Sequence, residues 1–116
     1  LFLCPKEEDR VFTTKENRYI TRGVKEQVPK EIQLYFWQLI DKKVEEVETK
    51  LDYLQIFEFN RDDQSPAMKV VHRQEQPLFI SYHEIKITEA LADFQIEKLW
   101  VIDDSVNQTM LLSEEY

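Results

Sequence analysis

The stretch Leu51-Asp52-Tyr53-Leu54-Gln55-Ile56-Phe57-Glu58-Phe59 decides the fold. Read with a period of two, Leu51, Tyr53, Phe57 and Phe59 share one side with Gln55 between them. Leu54 and Ile56 fall on the other, flanked by Asp52 and Glu58. A strand that is apolar on both faces at its centre belongs inside a sheet and wants cover on each side. The expectation is a helix over one face and later strands curling round to cover the other.

Immediately upstream lies that helix. Pro29 suits a first helical position, and Glu31 suits the positive end of the helix dipole. Ile32, Tyr35, Phe36, Leu39, Ile40, Val44 and Val47 then recur on one broad face, with Gln38, Asp41, Lys42, Glu45 and Glu48 opposite. Trp37 lies on the rim of the apolar arc and Leu34 outside it. An arc this wide predicts that the first two turns touch a second element or a second subunit.

Further upstream, Arg18–Arg22 reads as a strand, ended by Gly23. As the only glycine in the chain, Gly23 is the natural candidate for a positive-φ turn. Residues 1–16 read as an N-terminal arm, with one short strand at Val11-Phe12-Thr13, ahead of a single α+β domain over 17–116.

Downstream, Asn60–Pro66 is a polar loop, and Ala67–Gln74 a strand with Met68 and Val70 on one face and Val71 on the other. Glu75-Gln76-Pro77 breaks it. Leu78, Ile80 and Tyr82 then alternate inward, but Ile85 and Ile87 have the opposite parity, which predicts a bulge or a strong twist near His83. Thr88 suits the cap of one turn through Glu89–Asp93. Lys98–Ile102 and Gln108–Leu112 form a last hairpin about Asp103-Asp104-Ser105. The sum is α+β: one long helix on a strongly curled antiparallel sheet of five to six strands. The alternative is a small Sm- or SH3-like barrel behind an N-terminal helix.

Charge narrows the function. The chain has 116 residues and a formal net charge of −8. Residues 1–50 hold ten basic and ten acidic side chains, whereas residues 51–116 hold five against thirteen, so the second half carries the whole imbalance. Phosphate backbones and anionic lipid repel such a chain, so neither direct nucleic-acid binding nor membrane binding is expected. No apolar run approaches a membrane span. Cys4 is the sole cysteine, so no internal disulfide forms, and a reducing cytoplasm is the simplest home.

Several strings in fixed order resemble one family. They are Asn17-Arg18-Tyr19-Ile20-Thr21-Arg22-Gly23, Gln33-Leu34 with Trp37-Gln38-Leu39-Ile40-Asp41, and Leu51-Asp52-Tyr53-Leu54-Gln55 with Phe57-Glu58. Gln74-Glu75-Gln76-Pro77, Trp100-Val101-Ile102-Asp103-Asp104, Thr109-Met110-Leu111-Leu112 and Glu114-Glu115-Tyr116 complete the set. Together they resemble domain-of-unknown-function family 960, over about residues 17 to 116, with Ser113 where proline is expected. The resemblance implies a small cytoplasmic protein of Gram-positive bacteria and their phages. It brings no reaction, cofactor or catalytic residue with it.

The remaining chemistry is sparse. His72 and His83, with Glu75, Glu84 or Asp103 nearby, have the residue types of a zinc site but none of its usual spacings. Asp103 and Asp104 are adjacent, so on a strand they point to opposite faces, and a turn role is the simpler reading. Cys4 lacks a neighbour that would lower its pKa. One glycine cannot make a phosphate loop. No catalytic, metal or cofactor residue is therefore assigned.

Large aromatics beside arginines are the material of protein interfaces, which singles out Leu34, Trp37, Tyr19, Arg18, Arg22 and Trp100. The leading expectation is a non-catalytic protein-interaction module, as a homodimer or with another protein, using the Leu34/Trp37 side of the helix. An acidic decoy imitating nucleic acid before a basic host or defence protein is the alternative. A metal-assisted hydrolase using His72 or His83 with Asp103 comes third.

Overall fold

In the computed structural model, the described residues are 11–12, 14–46, 50–61, 66–88, 91 and 94–116. The quoted stretch supplies β2 (Leu54–Arg61). It lies inside a sheet with β1 (Arg18–Ile20), β3 (Ala67–Glu75), β4 (Leu78–Lys86), β5 (Lys98–Asp103) and β6 (Gln108–Leu112), in the order β1-β6-β5-β2-β3-β4. Four of the five pairings are antiparallel, but β1 pairs parallel to β6. The sheet is thus mixed, where an antiparallel one was expected. It does not close into a barrel.

Two helices follow β1. Thr21 caps α1 (Arg22–Gln27), its hydroxyl accepting from the Val24 N–H at 3.3 Å. So β1 stops at Ile20, two residues short of the expected strand. Gly23 lies inside α1 and has no positive φ. The space beside it is nonetheless taken: a Cβ there would sit 2.7 Å from a Glu115 carboxylate oxygen, which would have to shift. Left-handed backbone falls instead on Phe12 and Ser105.

Pro29 is the N-cap, one residue ahead of α2 (Lys30–Glu45). Its apolar face is read correctly for Ile32, Phe36 and Ile40, all buried, but Val44 in the last turn is 36% exposed. Val47 falls outside the described residues, as do Cys4, Thr13 and most of Glu89–Asp93. Phe36 stacks on Phe57 at 4.3 Å between ring centroids and on Phe59 at 5.2 Å, and Phe94 meets Phe59 edge-on. Burying each of these rings contributes ~2 kcal/mol from area alone. Phe12, expected on a separate arm, is fully buried in this core.

The parity of β4 is the main correction. Direct partners in a sheet point to the same face, and the register runs without interruption from Ala67↔Lys86 to Glu75↔Leu78. β3 commits Met68, Val70, His72 and Gln74 inward, so their partners Ile85, His83, Ser81 and Phe79 face the helix. Leu78, Ile80 and Tyr82 go outward, opposite Glu75, Arg73 and Val71. No bulge occurs at His83, because the two-residue turn Gln76–Pro77 had already fixed the register.

Candidate interaction surface

The helices cover one face of the sheet, and among the described residues no second layer covers the other. Ile56 on that outer face is nevertheless only 3% exposed. It is flanked by Arg73 on β3 and Trp100 on β5, long and broad side chains that shield it without a further layer. Glu58 lies next on the strand and pairs with Arg73 at 2.7 Å and Lys98 at 3.7 Å. The Arg73 hydrogen bond holds the Glu58 carboxyl below its usual range.

Toward β1 the outer face becomes aromatic. Trp100 pairs with Leu111, Ile102 with Thr109, and Thr109 with Tyr19. The closing 3-10 turn Ser113–Glu115 brings Tyr116 edge-on to Trp100 at 5.0 Å. Tyr19 is 55% and Tyr116 73% exposed, and the buried Trp100 indole N–H has no acceptor. Glu115 pins this corner by accepting from the Thr21 hydroxyl at 2.6 Å, the Leu112 N–H at 2.8 Å and the Gly23 N–H at 3.2 Å. The Thr21 bond leads in lowering its carboxyl pKa.

The six residues singled out in the sequence do not form one patch. Trp37 is 8% exposed, and the Arg18 guanidinium lies 4.7 Å from the centroid of its ring. Arg18 also holds Asp41 through both terminal nitrogens and Gln108 Oε1 through Nε at 3.0 Å. This clamp ties the edge strand β1 to α2. Leu34 stays 52% exposed on the solvent side of α2 while Trp37 is buried, and Arg22 pairs with Glu26 within α1. Tyr19 and Trp100 share the outer face, joined there by Tyr116 and Ile102. The signal for Trp100 and Ile102 was the period-two parity of β5, and for Tyr19 that of β1.

The polar candidates are engaged elsewhere. His72 is wholly buried, stacked on Phe57 at 4.4 Å. The Gln55 amide donates to Asp52 O and Gln74 Oε1, so Gln55 Oε1 accepts from His72 Nε2–H at 2.7 Å. His72 Nδ1 is left as a buried lone pair without a donor. Burial first, then His83 and Lys43, lowers the His72 pKa to about 3, so the ring is neutral. Gln74 completes the row by donating to Lys50 O and Pro77 O, both at 2.8 Å.

His83 lies on the same face as His72, 3.2 Å from the Ser81 hydroxyl, and burial leads in lowering its pKa. Glu75 and Glu84 point outward, away from both rings. Asp103 is two strands from His72 and ~13 Å further along the strands, four residues beyond the Phe57 row. Its carboxylate accepts from the Phe12 N–H at 2.7 Å and the Ser105 N–H at 2.8 Å. Asp104 accepts from Asn107 and Val106 N–H groups, the leading causes of its lowered pKa. Among the described residues no three His, Cys, Asp or Glu side chains gather as a metal site. No helix among them is long and apolar enough to cross a membrane.

A family model described as "Staphylococcal protein of unknown function (DUF960)" matches residues 17–115. The chain belongs to the DUF960 family. A crystal structure of a protein of unknown function from Enterococcus faecalis is similar to this DUF960 chain, with a TM-score of 0.75 at 21% identity. The match covers 92% of this chain and 96% of that one, and at this identity it speaks for the fold alone. No curated protein matches the chain.

Proposed function

We propose that this DUF960 chain works by binding another protein, without catalysis, through the Tyr19–Ile102–Trp100–Tyr116 patch at the β1–β5 end of the outer face. One observation carries this reading: among the described residues the helices cover one face of the sheet only, and the other turns exposed aromatic side chains to solvent. The partner it suits presents an apolar knob within a ring of Lys and Arg. Exposed Asp104 lies beyond Ile102 and Glu114 beside Tyr116, in a chain of net charge −8.

The acidic residues weigh on the decoy alternative. Asp52, Asp103, Asp104 and Glu115 all accept from backbone N–H groups, Asp103 and Asp104 in the one β5–β6 turn and the other two elsewhere. Carboxylates committed in this way serve the fold of a glycine-poor chain.

The test compares proteins retained at low salt by the unaltered chain, by Tyr19→Asp/Tyr116→Asp and by Leu34→Asp. The reading expects a retained protein that is lost with the first variant, kept with Leu34→Asp, and released as salt rises. An identical retained set for all three folded proteins overturns it.

A further inference from the structure

β4 is the outermost strand on its side of the sheet, nine residues long, whereas the opposite edge strand β1 has only three. Every second backbone N–H and C=O along β4 points away from β3 and faces no further strand among the described residues. Natural sheets protect such an edge with a bulge, charged side chains, proline or a short strand. β4 has neither bulge nor proline, and its charged side chains, Glu84 and Lys86, lie within its last three residues. It pairs with β3 without a break, and Leu78, Ile80 and Tyr82 stand 71%, 47% and 76% exposed on its outer side.

We propose that β4 pairs antiparallel with β4 of a second copy of this chain, about a two-fold axis through Tyr82, joining two six-stranded sheets into one. The proposal rests on reading the chain as an interaction module and names a different surface from the aromatic patch.

Charge selects the occupant and the register. A two-fold axis normal to the sheet keeps inner side chains opposite inner ones only if the paired residue numbers have an even sum. With Tyr82 opposite the partner's Tyr82, Ile80 meets the partner's Glu84 and Leu78 meets the partner's Lys86. Arg73 already flanks Ile80, and Glu75 flanks Leu78. Each row therefore runs Arg73–Ile80–Glu84 and Glu75–Leu78–Lys86 across the seam, with opposite charges either side of an apolar residue.

Moving the axis to Ser81 would set Glu75 and the partner's Glu84 around Leu78. Moving it to His83 would set Arg73 and the partner's Lys86 around Ile80. Both neighbouring registers set like charges about 10 Å apart across one apolar residue, a weaker penalty than a direct like-charge pair but one the Tyr82 register avoids. On the helix side the Tyr82 register places Phe79 against the partner's Ile85 and Ser81 against the partner's His83. The strand thus meets itself apolar against apolar at Phe79–Ile85 and polar against polar at Ser81–His83, with opposite charges set on either side of the apolar residues of its outer rows.

The experiment uses the full chain with Cys4→Ser, carrying Tyr82→Cys, Ile80→Cys or Leu34→Cys in turn, under mild oxidation. Directly opposite strand residues lie about 4.5–5.5 Å apart at Cα, within the span a disulfide accepts. Tyr82→Cys is expected to form a covalent dimer, and the other two are not. In parallel, sedimentation of the unaltered chain should give a concentration-dependent dimer, and Tyr82→Lys should weaken it about tenfold or more by opposing two like charges.

Tyr82 is exposed, so Tyr82→Lys keeps the monomer folded, which circular dichroism checks. A chain that stays monomeric at all concentrations overturns the proposal. So does stronger crosslinking at Ile80→Cys or Leu34→Cys than at Tyr82→Cys. Neither result bears on the Tyr19/Tyr116 comparison, so failure of this pairing and failure of the proposed function are told apart.

Discussion

His72 makes stability depend on pH. Its folded pKa, near 3, lies below the ordinary value of 6.5, so the fold favours the neutral ring. That contribution is complete above 6.5 and is lost as pH falls from 6.5 toward 3. Tyr35, His83, Lys42 and Lys43 surround this side of the core and supply no carboxylate to a protonated ring. Urea unfolding at pH 7.5 and 4.5 should show the unaltered chain losing about 2 kcal/mol more than His72→Gln, whose amide does not titrate. An equal loss in both would place the acid sensitivity elsewhere.

Gly23 offers a second test at this scale. In the intact chain Gly23→Ala pushes the Glu115 carboxylate off the Gly23 and Leu112 N–H groups and should cost about 1 kcal/mol. In a Glu115→Ala background the same change should stabilise by up to ~1 kcal/mol, because alanine is the better helix residue. Equal effects in the two backgrounds would contradict the close approach. No pattern in the sequence announces this contact, since residues 23 and 115 meet only when β6 has delivered the chain end to α1.

Among the elements, α2 was the most legible and β4 the least. Helical spacing placed Ile32, Phe36 and Ile40 correctly, because a single helix against a single sheet face has one apolar stripe to bury. Phe36→Ala should cost ~3–5 kcal/mol by calorimetry or denaturant, since it removes the ring stacked on both Phe57 and Phe59. Leu34→Asp, on the exposed side, should cost less than ~0.5 kcal/mol. Trp37 read as rim because the stripe alone does not reveal an arginine arriving from β1. In β4 the more apolar set of alternate residues faces out, so hydrophobicity pointed to the wrong face. Only the Glu75↔Leu78 pairing across the short turn carries the right answer.

At the scale of the molecule, the α+β class and the places of all six strands were readable from alternation and turn residues. The uncovered face was not. Cover on both sides of β2 follows from a rule about apolar strands, and here Arg73 and Trp100 meet that need from within the same sheet. The candidate surface was half legible for the same reason. Tyr19 and Trp100 reach it by strand parity, whereas Tyr116 joins them only through the final turn.

The parallel seam between β1 and β6 has a consequence for how the molecule is made. The first strand takes its place only beside the last, so nothing emerging early from a ribosome can complete the sheet. With about ninety residues between the joined segments, the loop to be closed is nearly the whole chain. Truncation before Gln108 would orphan Arg18–Ile20 and unlatch the Arg18 clamp together, leaving a collapsed intermediate in place of a smaller native protein.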